Sequence, residues 1–237
     1  MPTGSSTTGT AEGTILLPAN IDNYDSLLTG LNEADTKKVI EFIGKTDDDV
    51  KKLLGEGKYV ANYSLPGKAW NSTVGQLYKP FGYTPGYCGE WQEWGAPGLR
   101  KNAEEVFGKD NVETGDVMIS WGDPITDTTG SYFNHIANTI YVKSTGKTYV
   151  VDYWESGATG KPVIMTPEEW VAKWRDTISI GNDGVVYGDG NGRLEADLKA
   201  KGISLGDRAD KRPPRSSSST SAPASPSPIG PIIPLHR

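Results

Sequence analysis

Cys88 is the only cysteine among 237 residues, so no internal disulfide can staple the fold, and burial of apolar surface must hold it together. Nor does such a fold depend on an oxidising compartment. The length suffices. With a small polar leader (residues 1–14) and a tail from residue 207 set aside, roughly 190 residues remain, enough for one domain with its own core. The tail (207–237) passes from Arg and Lys through Ser216–Ser219 to a Pro-punctuated end. It carries too little apolar surface to fold and reads as flexible, a place where a protein partner could bind.

A lone thiol is either an inert small hydrophobe or a reagent. A reagent needs a base, and the usual one is an imidazole. The chain has two histidines, and His236 is the penultimate residue, inside the tail. That leaves His135, 47 residues after Cys88, as the one candidate base within the domain.

Composition removes several other functions. A net charge of −6 argues against a phosphate-binding surface, so nucleic acid is not an expected partner. No apolar run approaches the ~20 residues of a spanning helix, so a soluble chain with no membrane span is expected. Met1-Pro2-Thr3-Gly4 opens without the basic and apolar regions of a signal peptide, so secretion would need a signal-independent route. No His or Cys pair has metal-ligand spacing. Asp189-Gly190-Asn191-Gly192-Arg193 resembles a calcium loop but lacks its sixth-position glycine and twelfth-position glutamate. No metal or other cofactor is expected.

Periodicity predicts a helical lead-in over residues 15–57 and a larger domain over 58–206. Asp25-Ser26-Leu27-Leu28 opens a first helix; Asn32 caps a second that Gly44 should stop; Asp47 to Leu54 makes a third, ended by Gly55. A short strand is expected near Tyr59–Tyr63. A turn-prone stretch, Pro80 to Gly86, delivers Cys88 to a helix running from Glu90 to Trp94, broken at Pro97-Gly98 and resumed from Leu99 to Phe107. A thiol at such a start meets unpaired N–H groups and the positive end of the helix dipole, which favour thiolate. Glu113 to Trp121 reads as a strand after a Gly-Asp turn, and Phe133 to Val142 as a second, with His135, Ala137, Thr139 and Tyr141 on one face. A hairpin turn at Lys143–Lys147 leads to a returning strand, Thr148 to Trp154. Thr166 and Pro167 start a last clear helix, with Val171 and Trp174 facing inward.

A cysteine at a helix start, then Gly115-Asp116-Val117, then His135-Ile136-Ala137 and a polar residue on the following strand resemble the papain-like thiol enzymes. The Gly-Asp-Val and His-Ile-Ala pieces are similar to those of NlpC/P60 and CHAP amidases, and His135 followed by Val151-Asp152-Tyr153-Trp154 is similar to the transglutaminase-like core. The resemblance covers residues 80–156. It implies an α+β papain-like domain, a catalytic helix packed on a small antiparallel sheet, with the helical lead-in before it. It further implies that Cys88 attacks a carbonyl, His135 shuttles the proton and Asp152 holds the imidazole. The backbone N–H of Cys88 or Gly89 would bind the oxyanion, with Gln92, one turn further on, as a second candidate donor. The implied activity is amide or peptide hydrolysis through a thioacyl intermediate, on a peptide, peptidoglycan stem peptide or protein, in the setting of a bacterial or phage effector.

The third member depends on hairpin register. Asp152 faces His135 if the hairpin centres between Lys143 and Ser144. A turn centred at Thr145-Gly146 instead puts Ser156 opposite and Glu155 beside it; a bulge would restore Asp152. Asp152 is the first choice and Glu155 the alternative. Among the seven tryptophans, Trp91, Trp94 and Trp154 stand closest in sequence to the site, as packing or as a surface that holds substrate. Two alternatives remain open at this point: acyl transfer or deamidation at a protein glutamine, and a non-catalytic aromatic module for glycan or peptide.

Overall fold

The computed structural model describes residues 24–60, 77, 79–121, 133–177, 185–188 and 192–206. The leader, residues 122–132, most of the calcium-like stretch and the tail lie outside the described residues. The described chain is mixed α and β, built on a small antiparallel sheet.

The lead-in is α1 (Tyr24–Leu28) followed by α2 (Glu33–Gly55). The Asn32 side chain caps α2 by accepting from the Asp35 N–H at 2.8 Å, as the sequence implied. The expected stop at Gly44 and new start at Asp47 do not occur. Val39, Phe42, Ile43, Thr46, Val50 and Leu53 are all buried, and their three- and four-residue spacing carries one apolar stripe straight through the glycine. Burying that stripe outweighs a helix-propensity cost of about 1 kcal/mol at Gly44.

β1 (Lys58–Val60) pairs in parallel with β2 (Thr84–Gly86), and β2 feeds directly into α3 (Cys88–Phe107). This helix runs unbroken through Pro97. Pro97-Gly98 marks a close approach rather than an interruption. A Cβ at Gly98 would sit 2.3 Å from Asp49 Oδ2, on a carboxylate that accepts from Asn102 Nδ2 at 2.6 Å. The glycine therefore lets α2 and α3 come together.

The main sheet has the order β6-β5-β4-β3-β7, comprising β3 (Val112–Trp121), β4 (Phe133–Val142), β5 (Lys147–Val151), β6 (Ile164–Met165) and β7 (Val185–Tyr187). All its neighbours are antiparallel. Three more helices complete the described chain: α4 (Tyr153–Thr159), α5 (Pro167–Thr177) and α6 (Arg193–Ala200). Two apolar clusters cover the sheet. One joins α2 and α3 to Ile140, Val142, Tyr149 and Val151; the other joins α5 and α6 to Val117, Ile119, Ala137 and Val150. Because β4 is covered on both faces, Ala137 through Ile140 are all buried, and the alternation read from the sequence does not divide inside from outside.

No described helix is long and apolar enough to cross a membrane. No group of three His, Cys, Asp or Glu among the described residues could hold a metal ion.

Candidate active site

Cys88 is the first residue of α3. The Tyr87 N–H donates to Glu90 Oε2 at 3.0 Å, a reach-back that fixes where the helix begins. The N–H groups of Cys88 and Gly89 therefore belong to the first turn, which has no carbonyl of its own helix to bond. Gly89 is partly exposed, whereas Cys88 is 4% exposed. The thiol donates to the Asn134 carbonyl at a sulfur–oxygen distance of 3.7 Å.

That contact falls at a gap in the sheet. The β4–β5 ladder runs from Val142↔Lys147 to Asn138↔Val151 and stops. Asn134 and His135 are thus paired on the β3 side alone, with Ser120 and Ile119. The register centres the hairpin midway between the two alternatives drawn from the sequence. Extended further it would put Trp154 opposite His135, but the strand expected to reach Trp154 ends at Val151 and gives way to α4.

Asp152 is the N-cap of α4, and its Oδ1 accepts from the Glu155 N–H at 3.0 Å. Freed from the ladder, Asp152 turns Oδ2 to His135 Nε2 at 2.6 Å. The same oxygen accepts from Trp170 Nε1 at 2.9 Å and Trp174 Nε1 at 3.3 Å. Its backbone is equally committed, with its N–H on Val163 O and its C=O on the Ser156 N–H, both at 2.9 Å. Asp152 is therefore the partner of His135. Glu155 supplies only its backbone N–H to this cluster, while its carboxylate is ion-paired with Lys173.

His135 is fully buried. Its ring lies 3.8 Å from that of Trp174 and 5.5 Å from those of Trp170 and Trp154. With a carboxylate as acceptor, Nε2 carries a proton. Nδ1 is in full hydrogen-bond geometry with none of the described residues, and the Cys88 side chain is the other group that bears on the ring. Burial works against a charged imidazole, but the Asp152 carboxylate, joined by Cys88, outweighs it and raises the pKa to about 9. Asp152 moves the opposite way: despite full burial, His135 and the N–H donors hold its carboxyl below the usual range.

The remaining expected site residues separate into different places. Trp91 is fully buried, donates from Nε1 to the Tyr59 carbonyl at 3.3 Å, and leaves no room for a Cβ on Gly157, which would stand 2.5 Å from its ring. It is a packing residue, and its faces are not open to a substrate. Trp94 is half-buried under Lys58, whose Nζ lies 4.4 Å from the ring centre. Trp154 is partly exposed, edge-on to His135, and packs against both apolar clusters. Gln92 is 5% exposed. Together with Asn138, Arg100 and Thr114 it lines a cleft of about 830 Å³ beside α3.

The sequence reading placed Trp174 inward but assigned neither Trp170 nor Trp174 to the site. The available signal was their one-turn spacing on a well-capped helix, which puts two indoles on the same face. Nothing in that spacing names the carboxylate they reach. The chain matches no family model, no curated protein and no solved structure.

Proposed function

We propose that this chain is a thiol-dependent amide or peptide hydrolase with a papain-like Cys88–His135–Asp152 site. The observation that carries the reading is the state of His135: Nε2 is anchored on Asp152, while Nδ1 is buried outside any full hydrogen-bond geometry in a ring on which the Cys88 side chain also bears, favouring its charge. The raised pKa favours a ring with protons on both nitrogens. A buried Nδ1–H needs an acceptor, and a Cys88 thiolate supplies one, with the charge that balances the imidazolium.

In this reading Cys88 Sγ attacks the substrate carbonyl carbon, and the Cys88 and Gly89 N–H groups receive the oxyanion. The C–N bond breaks as His135 Nδ1 gives its proton to the leaving amine. Neutral His135 then takes a proton from water, the hydroxide attacks the thioester, and departure of the sulfur restores the thiolate–imidazolium pair. Peptides, peptidoglycan stem peptides and proteins all present the required bond. An amine in place of that water would make the same residues an acyl transferase. The burial of Trp91 takes one aromatic face away from the alternative of a binding module.

The test is the rate of iodoacetamide alkylation of the native protein against pH, beside His135→Ala. Labelling of Cys88 with an apparent pKa well below ~8.5, moved upward in the variant, is expected. Labelling that appears only on unfolding would overturn the reading.

A further inference from the structure

We propose that Trp170 and Trp174 are positioning residues of this site: their indole N–H groups fix Asp152 as the anion that orients His135. Three donors converge on Asp152 Oδ2, from His135 at 2.6 Å, Trp170 at 2.9 Å and Trp174 at 3.3 Å, and the Glu155 N–H occupies Oδ1 at 3.0 Å. Protonating Oδ2 means breaking one of those bonds in a place water does not reach, since Asp152 and Trp170 are fully buried and Trp174 is 7% exposed.

The kind of donor matters. An arginine at this position would offset the carboxylate charge and compete with the imidazole for it. An indole N–H is a neutral donor that never titrates, so two of them stabilise the anion and leave His135 as its only cationic partner among the described residues. The rings add to this, because an imidazolium against an indole face gains a cation–π contribution. Among the described residues, the titratable groups that bear on the imidazole are Asp152 at the start of α4 and Cys88 from α3; Glu155 and Lys173 pair with each other. Helix α5 thereby supplies neutral donors to the carboxylate that holds His135.

The role at the thiol rests on the proposed hydrolase reading, so the test separates the two. In Cys88→Ala protein, where no thiol chemistry contributes, the His135 ring nitrogens are titrated by nitrogen-15 NMR in the Trp170→Phe and Trp174→Phe forms, which keep a ring and lose the N–H. A shift of the His135 midpoint by about one pH unit or more in either form is expected. An unchanged midpoint in both folded variants overturns the proposal. If the phenylalanine forms do not fold, the indole N–H signals of the parent decide. Slow exchange and a shift in step with acid titration of Asp152 support it; rapid exchange, or no response, overturns it. A shifted midpoint together with an inert Cys88 in the alkylation test would keep the tryptophan role and remove the enzyme.

Discussion

Asp152 meets His135 from outside the sheet: β5 ends at Val151, and the carboxylate reaches Nε2 at 2.6 Å from the N-cap of α4. One side chain thus does two jobs. Oδ1 caps a helix while Oδ2 holds the His135 ring, and each bond limits the rotation that would weaken the other.

That pairing should make stability depend on pH on both sides of a plateau. The raised His135 pKa contributes stability that is complete below the ordinary value of 6.5 and lost as pH rises through about 9. The lowered Asp152 pKa contributes stability that is complete above the ordinary value of 3.8 and lost as pH falls through the depressed one. Urea midpoints measured across the range should therefore be highest between about pH 4 and 6.5. His135→Gln should flatten the alkaline limb, and an unaltered limb in that variant would contradict the pairing.

Asp152→Asn keeps the shape and removes the charge. The Cys88 alkylation midpoint should rise, and turnover of a peptide amide substrate should fall on the order of 10²–10⁴-fold. Asp152→Ala, which leaves His135 and two indoles facing a cavity, should in addition cost about 3–5 kcal/mol in chemical denaturation. Wild-type alkylation behaviour in Asp152→Asn would exclude Asp152 as the orienter.

Gly157→Ala should destabilise the domain by about 1–3 kcal/mol, because the new methyl meets a buried Trp91 ring that has nowhere to move. The contact distance is 2.5 Å. Calorimetry reads the effect. A neutral result would mean that Trp91 is loosely held, and would restore it as a residue free to meet a substrate.

At Gly44 the opposite is expected. A Cβ there meets nothing within 4 Å and the residue lies inside a continuous helix, so Gly44→Ala should stabilise by about 0.5–1 kcal/mol. Loss of stability would indicate that the helix does break at that glycine. Thermal melts of the pair distinguish the outcomes.

Much of this was legible in the chain itself. One thiol and one histidine within the domain left a single pairing to consider, and short-range chemistry located the elements that carry it: the helix start at Cys88, the strand around His135, the capped helix at Thr166-Pro167. The Asn32 cap and the end of α2 at Gly55 were readable for the same reason, since a cap depends on neighbours a few residues away. Gly44 and Pro97-Gly98 misled because local propensity there is weaker than the burial of a stripe contributed by distant residues. Asp152 and Glu155 could not be separated along the sequence: one residue of register and the early end of β5 decide between them, and both depend on the twist and packing of the whole sheet. The tryptophan donors were hidden for a plainer reason. Trp170 and Trp174 lie 18 and 22 residues beyond Asp152, and only the folding of α5 back against the sheet converts that separation into hydrogen bonds. The sequence by itself determined which residues could do chemistry; the tertiary structure decided which of them meet, because a hydrogen bond depends on distance in space and not on separation along the chain.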